Sequence, residues 1–300
     1  MAMQFTPEGV SLVQVRQVTD SKPLVTLCVI SPANLVDVPV LEKLVKEFHL
    51  DRYYGSFLLN SGEYQMLVVE APNVPAAELK TAVRWRIKDM LDFAVDDATV
   101  DVLEIPADKN SPSRNRSLYA VAARNEVIRK RMADFDAARL PVSVIDIPEL
   151  AQRNIANLLE DQGRGIALLS FDENGGLLTF TFGGELYLSR HIDVPLSQLC
   201  QKDSEQQQRH FDRITLELQR SMDHFERQFS FITISKLVLA PLPPAVNLEG
   251  YLATNLYLPV STLSLDEVFD FSAVSGVGPA QRMQCFLALG AALRTQDVAP

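Results

Sequence analysis

Gly9-Val10-Ser11-Leu12-Val13-Gln14-Val15 is followed by turn residues at Thr19-Asp20-Ser21-Lys22-Pro23 and then by Leu24-Val25-Thr26-Leu27-Cys28-Val29-Ile30. The flanks are rich in β-branched residues and the middle is a cluster of turn formers. The stretch therefore reads as a β-hairpin opened by a glycine. The plan recurs far downstream as Gly176-Leu177-Leu178-Thr179-Phe180-Thr181-Phe182, Gly183-Gly184, then Glu185-Leu186-Tyr187-Leu188-Ser189-Arg190-His191-Ile192. One such hairpin at the head of each half predicts two related α/β lobes facing each other across a cleft.

Helical spacing from Val38 to His49 puts Val40, Leu41, Leu44, Val45 and Phe48 on one face. Strands are expected at Tyr53–Leu59 and Tyr64–Val69, around the turn Asn60-Ser61-Gly62-Glu63. The break Pro72-Asn73-Val74-Pro75 opens an inserted subdomain, about residues 72–146. Its first helix starts at Pro75 and carries Leu79, Val83, Ile87 and Met90 on one stripe. Strand Thr99–Ile105, a polar and mobile loop over 106–116, strand Ser117–Ala122 and a helix with Val127, Ile128, Met132 and Phe135 inward follow. Strand Val142–Ile145 closes the unit. Pro148–Glu160 reads as a linking helix. The second lobe opens near Gly165, and its longest helix runs from Ser204 to Phe229 with Ser204 and Gln207 as a capping box. Phe211, Ile214, Leu218, Met222, Phe225 and Phe229 form that helix's core stripe. Strand Lys236–Leu239 and helix Leu248–Leu256 come next. A last helix, Pro279–Arg294, is expected to cross back to the first lobe, with a frayed tail behind it. The division is then lobe I over 1–160, completed by 279–294, and lobe II over 161–278.

The 300 residues suffice for two real cores, and 47% hydrophobic with 22% charged residues is ordinary for a soluble globular protein. A net charge of −10 argues against a nucleic-acid footprint. Three separated cysteines, Cys28, Cys200 and Cys285, fit a reduced, cytoplasmic protein. Residues 1–8 lack the basic flank and apolar centre of a signal peptide, and no apolar run approaches the ~18–20 residues of a bilayer span. Any work at a membrane is expected to go through a partner.

Three segments carry a family resemblance. Ala77-Glu78-Leu79-Lys80-Thr81-Ala82-Val83-Arg84-Trp85-Arg86-Ile87-Lys88-Asp89-Met90-Leu91-Asp92-Phe93, with Val100-Asp101 behind it, is the first. Tyr119-Ala120-Val121-Ala122-Ala123-Arg124 with Ala138-Arg139-Leu140-Pro141-Val142-Ser143-Val144-Ile145-Asp146 is the second, and Leu287-Ala288-Leu289-Gly290-Ala291-Ala292-Leu293-Arg294 is the third. In this order and at these separations they resemble the PilM family of type IV pilus assembly proteins, and most of all its MshI branch from the mannose-sensitive haemagglutinin (MSHA) pilus system. The resemblance implies an actin-like two-lobed α/β fold whose insert is of the type found in the cell-division protein FtsA. It also implies a cytoplasmic scaffold at the inner membrane. Its partners would be the N-terminal tail of a PilN-like single-span protein and other platform components.

An actin-like nucleotide site needs backbone N–H groups in two glycine-bearing turns for the phosphates. It also needs acidic groups for Mg²⁺ and a glycine turn beside the adenosine. The first turn here is Phe5-Thr6-Pro7-Glu8-Gly9, with a proline that has no N–H and a glutamate that repels phosphate. The second is Asp172-Glu173-Asn174-Gly175-Gly176, in which Asn174-Gly175 reads as a plain hairpin turn. The third, Ala240-Pro241-Leu242-Pro243-Pro244, has no glycine. The expectation is a non-catalytic scaffold with no cofactor and no metal. The alternative is an actin-like ATPase that couples ATP and Mg²⁺ to platform assembly. Asp172, Asn174, Gly175 and Gly176 are the residual candidates to hold a nucleotide. A third reading is a secretion-platform domain that has lost its membrane anchor.

Trp85, the one tryptophan, lies off the apolar stripe between Arg84 and Arg86. These three are the partner-binding candidates, as an aromatic anchor with cationic neighbours. The competing reading packs Trp85 against the adjoining lobe. Arg129-Lys130-Arg131 reads as a solvated helix face, and His191, His210 and His224 share no ligand spacing. Ser170, Cys200 and His191 compose no nucleophile motif.

Overall fold

In a computed structural model the described residues are 1–33, 35–108, 116–201 and 203–294. Lobe I opens with β1 (Ala2–Thr6), β2 (Gly9–Arg16) and β3 (Leu24–Pro32), then α1 (Val38–Phe48) and β4 (Gly55–Leu58). The insert supplies β5 (Tyr64–Glu70), α2 (Ala76–Arg86), β6 (Ala98–Ile105) and β7 (Ser117–Arg124). α3 (Asn125–Ala137) and β8 (Val142–Asp146) return to lobe I, and α4 (Pro148–Asn157) leaves it. Lobe II repeats the opening with β9 (Gly165–Asp172), β10 (Gly175–Phe182) and β11 (Glu185–Ile192). It continues with α5 (Leu196–Leu199), α6 (Ser204–Gln228), β12 (Ile234–Leu239), α7 (Leu248–Asn255), β13 (Val260–Thr262) and α8 (Leu265–Val268). α9 (Pro279–Gln284) and α10 (Phe286–Ala292) end the described chain.

The two large sheets have the same strand order, β3-β2-β1-β4-β8 and β11-β10-β9-β12-β13. In each, three antiparallel strands are followed by two parallel ones. This duplicated topology is the actin-like fold. The outer face of sheet I packs on α1 and α3 around Phe5, Phe57 and Phe135, whose ring centroids lie 4.9 to 6.2 Å apart. The outer face of sheet II packs on α6, where Phe180 and Phe225 stack at 4.8 Å. Between the lobes, α4 lies on sheet II and α10 on sheet I, and the two helices pack on each other. Gly290 permits this contact, because a Cβ there would fall 2.1 Å from the Ala151 carbonyl oxygen.

Several sequence expectations are corrected. β1 is a strand the sequence pattern does not mark, because the five residues Ala2–Thr6 are too few to show a clear period. The inserted sheet, β5-β7-β6, takes in Tyr64–Glu70, while Val142–Asp146 pairs with β4 in sheet I instead of closing the insert. α2 ends at Arg86, so Met90 leaves the apolar stripe and is half exposed. Asp203, not Ser204, caps α6, and its carboxylate accepts from the N–H groups of Glu205 and Gln206. The last helix breaks at Cys285 into α9 and α10. Cys28 and Cys285, remote in sequence, lie in the same buried cluster, and Ser11 Oγ donates to Cys285 Sγ at 3.3 Å. Arg131 is no solvated charge: it pairs with Glu63 at 2.7 Å and lies 4.7 Å from the Phe5 ring centroid. The centre of the polar loop, residues 109–115, and the tail, residues 295–300, fall outside the described residues. Among the described residues, no helix is long and apolar enough to cross a membrane.

Candidate functional site: the interlobe cleft and the insert

The duplicated fold sets two hairpin turns against each other. In lobe I, Thr6 pairs with Gly9 around Pro7-Glu8; in lobe II, Asp172 pairs with Gly175 around Glu173-Asn174. Both glycines take left-handed backbone, with φ of 138° at Gly9 and 133° at Gly175. Neither has room for a side chain, since a Cβ would meet the Ser31 carbonyl at 2.1 Å or the His191 ring at 2.6 Å. The turns face a cleft of about 600 Å³ that Asp172, Asn174, Gly175 and Gly176 all line. The expected Asn174-Gly175 turn is shifted by one residue. Asp172 accepts a hydrogen bond from the Asn174 N–H at 2.7 Å, and this local bond makes Glu173-Asn174 the turn pair while Gly175 starts the strand.

The donor set does not match what a polyphosphate needs. Pro7 offers no N–H, and the Asn174 N–H already goes to Asp172. Four carboxylates, from Glu8, Glu149, Asp172 and Glu173, line the cleft, and no lysine or arginine is among its described lining residues. None of residues 240–244 lines it. Among the described residues, no three His, Cys, Asp or Glu gather closely enough to hold a metal ion.

Glu149 was not singled out by sequence reasoning. It follows Pro148 at the start of α4, where an acidic residue usually does no more than face the helix dipole. Here it is buried, and Tyr64 donates to its Oε2 at 2.6 Å, tying the first strand of the insert to α4. Burial pushes the Glu149 carboxyl above the usual carboxylate range, against the pull of the Tyr64 hydrogen bond. Burial and the Glu149 charge push Tyr64 well above its ordinary value, so it stays a proton donor. Behind them Gln152, fully buried, accepts from Ser170 at 2.6 Å. Its amide nitrogen reaches the Leu168 carbonyl at 2.7 Å and Thr179 at 2.9 Å. That network locks α4 onto sheet II. Arg294 pairs with the buried Asp146 at 2.9 Å, fixing the end of α10 to lobe I.

The partner-binding candidates lie elsewhere, on the insert. Trp85 is 59% exposed, so most of its ring is open to solvent. Its neighbours are not free cations. Arg84 donates to the Val95 carbonyl at 2.8 Å and lies 3.8 Å from Asp96, while Arg86 donates to the Glu70 carbonyl at 2.5 Å. Val68 on β5 is also exposed. Val68 pairs with Tyr119 and so lies on the sheet face away from α2, the face anchored to lobe II where Tyr119 donates to the Tyr187 carbonyl at 3.0 Å.

Residues 40–173 are PilM-like: they match the family model described as "Type IV pilus assembly protein PilM". The matched stretch runs from α1 through the whole insert to the Asp172 turn. Among solved structures, one from a PilM-PilN type IV pilus biogenesis complex superposes with a TM-score of 0.71 at 17% identity, over 97% of this chain and 96% of that one. The cytoplasmic domain of EpsL, an inner-membrane component of the type II secretion system of Vibrio cholerae, superposes with a TM-score of 0.53 at 13% identity, over 98% and 95%. At these identities the superpositions establish the shared fold. No curated protein matches the chain.

Proposed function

We propose that this chain is a cytoplasmic, actin-like scaffold of a type IV pilus inner-membrane platform, of the MSHA type. It would hold the N-terminal tail of a PilN-like single-span protein and hydrolyse no nucleotide. The observation that carries the reading is the PilM-like stretch over 40–173, which contains the entire insert. The full-length likeness to a structure from a PilM-PilN complex supports the same partner class. An extended tail needs a strand edge or an apolar groove. The insert has β5 and β6 at the two edges of its sheet and an exposed tryptophan on α2. The acidic cleft and the committed turn donors support the absence of nucleotide turnover. The alternative, ATP-coupled assembly, has the paired glycine turns in its favour.

The test is capture of the cytoplasmic tails of inner-membrane pilus proteins by the full chain, followed by titration of the captured tail. Trp85→Ala should weaken binding by ~2 kcal/mol if Trp85 is a hot spot. Capture of no PilN-like tail would overturn the partner assignment. Calorimetry with ATP and Mg²⁺ should show no tight binding, whereas micromolar binding abolished by Asp172→Ala would reinstate the ATPase alternative.

A further inference from the structure

We infer that the insert is a strap between the lobes: it covers the free edge of sheet II and holds the interlobe cleft at one width, so that the cleft widens only when the insert lets go. Two contacts from separate strands of the insert carry this, one made by Tyr119 on β7 and one by Tyr64 on β5.

The insert leaves lobe I after β4 and returns to it at β8, yet it does not stay on lobe I. β11 is an edge strand of sheet II, and an edge strand leaves a row of backbone groups without a neighbouring strand. β6 of the insert runs beside that edge. Tyr119 reaches it: the hydroxyl donates to the Tyr187 carbonyl of β11 at 3.0 Å, and the bond is buried. The Tyr119 side chain is itself buried in the lobe II core, together with Ile105 from the end of β6. Leu103 and Met66 pack against the same core from the Tyr119 face of the insert sheet. Parting the insert from lobe II would return all four apolar side chains to water and strip the Tyr187 carbonyl of its partner.

Tyr64 makes the second contact, at the cleft. Gln4 of β1, Tyr64 of β5 and Glu149 of α4 line that cleft together. The Tyr64 hydroxyl donates to the buried Glu149 at 2.6 Å, and α4 is in turn held on sheet II by Gln152. The insert therefore grips lobe II twice, directly at β11 and through α4. β5 and β7 are paired strands of one sheet, so neither tie can shift far without the other. The lobes also share the apolar cluster around α10, where Val13, Val25 and Cys28 of sheet I meet Ile166, Leu168 and Val238 of sheet II. A hinge motion about that shared base changes the gap at β11, and the insert spans this gap.

The test measures the distance between the lobes in the full chain by pulsed electron spin resonance. One spin label sits on Cys200, exposed in lobe II, and the other on Glu47→Cys, at an exposed position of α1 in lobe I. Cys28 and Cys285 are buried and stay unlabelled. The parent should give one narrow distance, and Tyr119→Ala should add a longer one. Leu118→Ala removes the likewise buried neighbour on β7 that points to α2 instead, and should leave the distance unchanged. Tyr119→Phe keeps the ring and deletes only the hydroxyl. It should speed hydrogen exchange at β11 roughly tenfold, as the loss of one buried hydrogen bond does, and leave the α1 amides as in the parent. The inference is overturned if the parent already shows two distances, if Tyr119→Ala keeps the single parent distance, or if Leu118→Ala opens the lobes as far as Tyr119→Ala. Should Tyr119→Ala fail to fold, Tyr119→Phe decides, and exchange at β11 as slow as in the parent removes the strap.

Discussion

Lobe I buries Phe5, Phe57 and Phe135 edge to face, whereas lobe II lays Phe180 flat on Phe225 with an interplanar angle of 16°. The strand order beneath them is the same. Sheet II is covered by α6, a 25-residue helix, while the 13-residue α3 and α1 cover sheet I. Lobe I also closes its aromatic cluster with a cation, Arg131, held by Glu63. One topology thus tolerates two fillings, because a sheet face demands apolar volume and not particular residues. What the two lobes also share is the pair of turn glycines at positive φ, where a Cβ has no room.

The largest effects should come from the two fillings. Phe225→Ala and Phe135→Ala, each removing a fully buried ring, are expected to cost ~3–5 kcal/mol in urea denaturation. If the lobes unfold together, both variants shift a single transition. Two separated transitions, each moved by one variant, would show that the lobes are independent units. A loss below ~1 kcal/mol at Phe225 would contradict its packing in the α6 core.

The shared turns should respond next. Gly9→Ala and Gly175→Ala force a Cβ into positive φ and into the Ser31 carbonyl or the His191 ring. Each is expected to destabilise by at least ~1–3 kcal/mol, and by similar amounts if the turns are structurally equivalent. A thermal melt in which one variant is silent would break the equivalence.

Glu149, at the junction of the lobes, gives a smaller and pH-dependent effect. Its folded carboxyl lies above its unfolded value because burial opposes the charge. The unfolded chain therefore releases this proton first as pH rises. Glu149 favours the folded state most below the ordinary carboxylate range, and that contribution is lost as pH climbs through the raised folded value. Glu149→Gln, which keeps an acceptor for Tyr64, should gain stability relative to the parent between acidic and neutral pH. A difference that stays constant across that range would place Glu149 in a well-solvated setting. The smallest effect on stability belongs to Trp85→Ala, within ~0.5 kcal/mol, because the ring is mostly in solvent. A larger loss would mean that Trp85 packs in the folded chain.

Much of the fold was legible because it is written in local periodicity. The long runs β2, β3, β10 and β11 alternate and end in turn formers. The α6 stripe from Phe211 to Phe229 is buried as its spacing required, apart from the half-buried Met222. Boundaries were less legible where hydrogen bonds outrank pattern. Asp203 replaced Ser204 as a cap, and Asp172 moved a turn by one residue, because a side-chain oxygen met a free N–H. The site was legible only in part. Asp172 and Gly175 could be placed at a turn, but nothing local marked Gln4, Tyr64 or Glu149 as cleft residues.

The sequence by itself determined two related lobes, an insert carried by the first, and a glycine-bearing turn in each lobe, since propensity, glycine placement and charge act over a few residues. Tertiary structure alone decided that β5 joins the insert and β8 leaves it, because sheet membership depends on non-local pairing. It alone decided that Gln4, Tyr64 and Glu149 meet in one acidic cleft and that Trp85 stands in solvent. Burial and the partners of a polar group are set by chains that come together from opposite ends of the molecule, and no short-range pattern records them.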